Sequence, residues 1–178
     1  MVRIEPISGR LGGEAHCGGS PRLALMPRTL ALVALAALTP ALAGCASPLV
    51  VEPAPYAADP DCARVMLAVP DVVGGLEYRE TTSQATAGWG DDYPLVMRCG
   101  VEPPGPTTDE CLAIETGGTT VDWLITEEGE DWRAVSFGRS PAVELLVPKV
   151  RAQDAVGDVL AEVSQAVSRA PSNGLECR

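Results

Sequence analysis

The sequence predicts an α+β domain: an antiparallel sheet with a short N-terminal helix and a C-terminal helix packed on one face. Three observations carry that expectation. Between residues 76 and 147, apolar residues alternate with a period of two in short runs, separated by Gly, Pro and Asp clusters. Near the C-terminus, Val156, Val159, Leu160, Val163 and Val167 form a stripe at helical spacing. Ahead of the strands, Asp59-Pro60 has the form of an N-cap followed by proline at the first helical position.

The elements follow in order. Cys62, Val65, Met66 and Val69 share one face of the first helix, which Pro70 ends. Gly74-Gly75 is a turn leading to a strand over 76–81. Strands over 85–90 and 95–101 flank Asp91-Asp92-Tyr93-Pro94. In the second of these, Leu95, Met97, Cys99 and Val101 point one way and Val96 and Arg98 the other. Residues 102–109, rich in Pro and Thr, read as a loop. Strands over 111–115 and 119–126 surround Gly117-Gly118, a hairpin signal. After the acidic turn Glu127–Asp131 come strands over 132–137 and 142–147, joined by Gly138-Arg139-Ser140-Pro141. Pro148 closes the sheet, and the C-terminal helix spans 154–168.

Upstream of the domain the pattern is that of export. Arg22 and Arg28 precede the apolar run 30–38, and Leu42-Ala43-Gly44-Cys45 follows. A basic stretch, an apolar core and small residues before a cut site make a secretory signal. The run 30–43 is too short to span a bilayer, which takes about 20 apolar residues. Leu42-Ala43-Gly44-Cys45 also resembles a bacterial lipobox, where small residues fit a protease groove and the thiol of Cys45 takes diacylglycerol. Residues 1–44 are therefore read as signal peptide, with Met26 as a candidate translation start. Residues 45–59 are the lipidated Cys45 and an extended tether carrying Pro48, Pro53 and Pro55. Residues 60–178 are a single domain. Two or three acyl chains, palmitate among them, hold a protein on a membrane where one is marginal. The expected address is the extracytoplasmic face of the cell membrane.

Cys62, Cys99, Cys111 and Cys177 remain after Cys45, an even set that an exported chain uses for disulfides. Four cysteines allow three pairings; Cys62 lies on the apolar face of the first helix and Cys99 on the core face of a central strand, so the expected pair is Cys62 with Cys99. Cys111 then holds Cys177 and pins the tail.

Of 13 basic and 24 acidic residues, four and two precede Cys45, so the remainder carries a formal charge of −13. Such a surface repels phosphate backbones, which argues against nucleic acid as a partner. The only histidine, His16, precedes Cys45. Residues 45–178 therefore offer no Ser-His-Asp triad, Cys-His pair or histidine metal ligand. No phosphate-binding glycine motif occurs. No cofactor, metal or catalytic residue is assigned. Asp91-Asp92 and Glu127–Asp131 offer carboxylates, but both lie at turns, where Asp and Gly are expected as solvated residues.

Four residues are singled out for recognition: Trp89, Asp91, Arg98 and Arg139. Trp89 and Arg98 fall on neighbouring strands, where a cation–π pair would frame a pocket and the plainer reading is a cross-strand contact. Arg139, in its Gly-Arg-Ser-Pro turn, either recognises an anion or bonds turn carbonyls.

Several motifs carry a family likeness. Trp89-Gly90-Asp91, Arg98-Cys99-Gly100-Val101, Val121-Asp122-Trp123 and Gly138-Arg139-Ser140-Pro141, the last leading to a strand that ends in Val147-Pro148, occur in that order. Together they resemble an actinobacterial lipoprotein family, the domain of unknown function 3515, over residues 60–168. The resemblance implies a cell-envelope lipoprotein and brings no activity or site residue with it. The long segment before the signal departs from the family's usual start, in line with Met26. The expected function is a non-enzymatic envelope module, held on the membrane by its lipid, that binds an envelope protein or wall component. The alternative is a carboxylate-dependent hydrolase acting on cell-wall glycan, which needs two carboxylates about 5–10 Å apart in a cleft.

Overall fold

The computed structural model describes residues 47–152 and 155–177. The expected signal peptide, the candidate start at Met26, Cys45 and the first residue expected in the C-terminal helix, Asp154, lie outside the described residues.

The protein is mostly β. Helix α1 (Pro60–Met66) is followed by β1 (Val72–Val73), β2 (Leu76–Arg79), β3 (Thr86–Trp89), β4 (Leu95–Val101), β5 (Cys111–Thr116), β6 (Thr119–Glu128), β7 (Asp131–Phe137) and β8 (Ala142–Pro148). A single turn of helix, α2 (Lys149–Ala152), and the longer α3 (Val156–Val167) complete the chain. All eight strands form one sheet in the order β1-β2-β3-β4-β8-β7-β6-β5, and every pairing is antiparallel. The sheet outweighs the helices more than the expected α+β class suggested.

Asp59 caps α1, its carboxylate accepting the Asp61 N–H at 2.9 Å, and Pro60 needs no partner at the first helical position. The helix ends at Met66, before Pro70, so Val69 lies beyond it. Two elements escaped the sequence. The β1 pairing is only two residues long, and α2 begins directly after Pro148, the last residue of β8. Neither is long enough to show a period.

One face of the sheet meets α1 and α3. Trp89, Leu95, Met97, Trp123, Leu145 and Leu160 are fully buried there. Each such side chain contributes about 1.5–3 kcal/mol by leaving water. Polar atoms within this core are paired. Trp123 Nε1 donates to Ser164 Oγ of α3 at 3.0 Å, and Ser164 donates to the Leu160 carbonyl at 2.7 Å. The bond from Cys62 to Cys99 ties α1 to β4 inside this layer.

The second face is covered by the two ends of the chain. Residues 47–58 fall within the span 45–59 that the sequence marks as an extended tether. They are extended, but laid against the domain. Leu49 makes a parallel bridge to Thr81, the Val51 N–H donates to Thr82 Oγ1 at 3.1 Å, and Ser83 Oγ donates to the Val51 carbonyl at 2.5 Å. The Tyr56 N–H then donates to the Gly100 carbonyl at 2.8 Å. Ala54 is buried with Val101, Val135 and Ala142 in a second small apolar cluster. Three spaced prolines mark an extended segment; they do not reveal whether it has something to lie on.

Gly100 makes that close approach possible. Its φ is +94°, and a Cβ there would stand 2.4 Å from the Tyr56 carbonyl carbon. Gly100→Ala is expected to cost about 1–3 kcal/mol and to loosen residues 47–58. Denaturant titration reads the first effect, and faster protease cleavage within 47–58 reads the second. Unchanged cleavage would mean that the segment is not held at Gly100.

Tyr56 is anchored at its other end too. A side-chain hydrogen bond to Glu102, together with that carboxylate's charge, raises the phenol above its usual 10.0. The contact is therefore fully present below pH 10 and is lost as pH rises through the folded value. In Glu102→Gln, ultraviolet titration should find Tyr56 ionising closer to 10.0; an unmoved titration would deny the contact.

Candidate functional site

The four residues singled out for recognition do not come together. Trp89 is buried on the helix side of β3, its Nε1 donating to the Pro70 carbonyl at 3.0 Å and its ring set edge-on to Tyr78. Arg98 lies on the opposite face. The register pairs Arg98 with Thr86 and Trp89 with Leu95, and successive residues of a strand alternate sides. A Trp89–Arg98 contact, cation–π or otherwise, is thereby corrected: the two are neighbours in strand order and separated by the sheet. Asp91 is exposed at the β3–β4 turn and pairs with Arg79 at 3.2 Å. Arg139 sits at the other end of the strands.

Arg139 is committed to the fold. Its guanidinium donates to the carbonyls of Ala170 at 3.1 Å, Thr120 at 2.8 Å and Ser168 at 3.5 Å. That leaves little of a guanidinium's five donors for an anion, and favours the plainer of the two readings of this turn.

Arg98 belongs to a charged row that the sequence analysis missed. Glu144 of β8 is 1% exposed. Its Oε1 accepts from Arg98 Nε at 2.8 Å and Nη2 at 2.5 Å, and its Oε2 accepts from Arg133 Nε at 2.5 Å. Arg133 also approaches Glu128 at 3.6 Å. The signal was present in Ala142-Val143-Glu144-Leu145: a carboxylate in the middle of an apolar strand needs a cation beside it. The register of β4 on β8 pairs it with Arg98.

The candidate binding site lies where the C-terminal tail crosses the same face. Cys177 is bonded to Cys111 of β5, the pairing expected from the sequence, and its N–H donates to Asp122 Oδ2 at 2.7 Å. Further back, the Asn173 N–H donates to the Gly138 carbonyl at 2.9 Å, and Ser140 N–H to the Pro171 carbonyl at 3.0 Å. Gly138 has φ +73°, and a Cβ there would stand 2.0 Å from the Leu175 carbonyl oxygen, so only glycine lets the tail pass.

Two clefts open on either side of this tail. The larger, about 600 Å³, is lined by Thr107, Thr108, Asp109, Phe137, Leu175 and Glu176 among others. The smaller, about 290 Å³, is bordered by Asp122, Arg139 and Ser172 and shares Phe137 and the tail with the first. Hydroxyls, a ring and carboxylates in one cleft suit reversible binding of a partly polar ligand. Asp122 is already an acceptor for the tail. The other carboxylate clusters sit on exposed turns, with Glu127 bonded by Lys149 Nζ at 2.7 Å. Among the described residues, no three His, Cys, Asp or Glu side chains converge to hold a metal ion. Nor is any described helix long and apolar enough to cross a membrane.

A family model described as "Protein of unknown function (DUF3515)" matches residues 24–173. No curated protein and no solved structure matches the chain.

Proposed function

The chain belongs to the DUF3515 family, and we propose from that footing that it is an extracytoplasmic lipoprotein, anchored to the membrane through Cys45, whose folded domain binds an envelope protein or wall component without catalysing a reaction. The observation that carries the anchor is cysteine use. All four cysteines after Cys45 are consumed, Cys62 by Cys99 and Cys111 by Cys177, so Cys45 has no downstream thiol to pair with. Disulfides persist in oxidising compartments, in keeping with the export signal in the sequence. The lipobox then gives Cys45 its use.

The cleft beside the tail supports the binding half of the proposal. Its size falls within the ~300–1,000 Å³ of small-ligand sites, and the Cys111–Cys177 bond holds one wall in place. The absence of histidine after His16 removes the commonest general base from any rival catalytic scheme.

In-cell crosslinking followed by purification of the lipidated protein tests the binding reading. A discrete protein or wall fragment should be recovered, and less of it with Thr108→Arg, which places a long side chain in the cleft. Recovery of lipid and bulk wall alone, unaffected by Thr108→Arg, would contradict it.

A further inference from the structure

We infer that the lipid seats this domain directly on the bilayer in one orientation, with the end of the sheet that carries the Asp91–Pro94 turn against the headgroups and the tail cleft directed away. The inference rests on the Cys45 anchor proposed above and adds the lipid-facing surface. Its basis is the docking of residues 47–58. Arg79 Nη2 donates to the Ser47 carbonyl at 2.7 Å, and from Leu49 onward the segment is bonded to the domain. Only Ala46 separates Ser47 from Cys45. Two residues reach about 7 Å at full extension. A lipid on Cys45 therefore cannot stand farther than that from the domain's own surface at Ser47.

The position of Ser47 chooses the end. The same Arg79 guanidinium donates to the Gly90 carbonyl and pairs with Asp91, so the chain enters beside the β3–β4 turn. Strand directions gather the start of β4, the end of β8 and helix α2 at this end. They send the β7–β8 turn, against which the tail lies, to the other.

The surface around the entry point suits an interface of lipid headgroups. Tyr93 is 63% exposed at the tip of its turn, and Val150 is 56% exposed on α2. Arg151 donates to the carbonyls of Asp92 and Tyr93 and, among the described residues, pairs with no carboxylate. Tyrosine and arginine are residues that settle at the headgroup level. Asp91 and Glu127 at this end are matched by Arg79 and Lys149. Asp92, Glu128, Glu130 and Asp131 add carboxylates at this end, so the contact with headgroups rests on the aromatic tip and Arg151 beside the point where the lipid attaches, not on charge balance.

The test places the photoreactive amino acid benzoylphenylalanine in turn at Tyr93, Thr108 and Gly118 of the full lipidated chain in phosphatidylethanolamine–phosphatidylglycerol vesicles. Lipid adducts should form several-fold more at position 93 than at 108 or 118. A flexible Gly-Ser insertion after Ala46 should erase the difference while leaving the domain folded. Equal adduct yields at all three positions without the insertion would overturn the orientation. Intact mass of each sample reports acylation separately, and a chain without acyl mass would overturn the anchor itself.

Discussion

Glu144→Ala is expected to lower stability by about 3–5 kcal/mol, the cost of breaking a buried ion pair by removing one partner. Glu144 is almost fully enclosed and holds two guanidinium groups, each partly exposed. Its loss leaves Arg98 and Arg133 facing each other across β8 with no charge between them. Because both can turn partly toward water, the lower end of the range is the better figure. Glu144→Gln keeps the shape and one acceptor, and should cost less. Replacing Arg98, Glu144 and Arg133 together by Met, Leu and Met should recover most of the loss, since an apolar set owes no desolvation. Urea titration of the three variants separates these outcomes. If Glu144→Ala costs under about 1 kcal/mol, the value typical of a surface pair, the row is a surface ornament and not part of the core.

Removing the Cys62–Cys99 bond by Cys62→Ala with Cys99→Ala should cost about 4 kcal/mol. The two residues are 37 apart in sequence, and freeing a loop of that length returns roughly this much entropy to the unfolded chain. Both cysteines are buried in the main core, joining α1 to β4, so the native state cannot relax by fraying. The other bond behaves differently. Cys111 and Cys177 are 66 apart, and loop length alone assigns that bond the larger effect. Cys177 lies beyond α3 in a segment that adds no strand to the sheet, however, so the native chain answers its loss by releasing that segment. Cys111→Ala with Cys177→Ala should therefore cost less globally and speed hydrogen exchange over residues 171–177. A larger denaturation shift for the second pair than for the first would show the tail to be integral to the cooperative fold.

Much of the architecture was legible in the sequence because it depended on local periodicity. Strand β4 and helix α3 show their period over several residues, Gly, Pro and Asp turns marked off the other strands from β3 to β8, and the alternation in β4 located Cys99 on the core side. The pairing of Cys62 with Cys99 followed from it. What could not be read required knowledge of strand neighbours. Glu144 meets Arg98 only because β8 inserts between β4 and β7, a crossover that no local pattern encodes. Trp89 and Arg98 looked adjacent because their strands are adjacent, and the register then put them on opposite faces. The docking of residues 47–58 hung on Gly100, whose role appears only when another chain segment passes within 2.4 Å of where a Cβ would be. The tail cleft is likewise made by residues from 106–111, 137 and 174–177, distant in sequence.

That docking also changes what the anchor means. A free tether would let the domain sample every orientation; with residues 47–58 docked, a lipid on Cys45, if attached as proposed, would be held near the point where Ser47 meets Arg79. The proposed address and the proposed orientation both depend on Cys45 carrying lipid. The most direct measurement is the intact mass and N-terminal peptide of the protein extracted in detergent from the membranes of producing cells. The expected result is a chain beginning at Cys45 and bearing a diacylglyceryl group. A mature chain that begins elsewhere, or an unacylated Cys45, would contradict it.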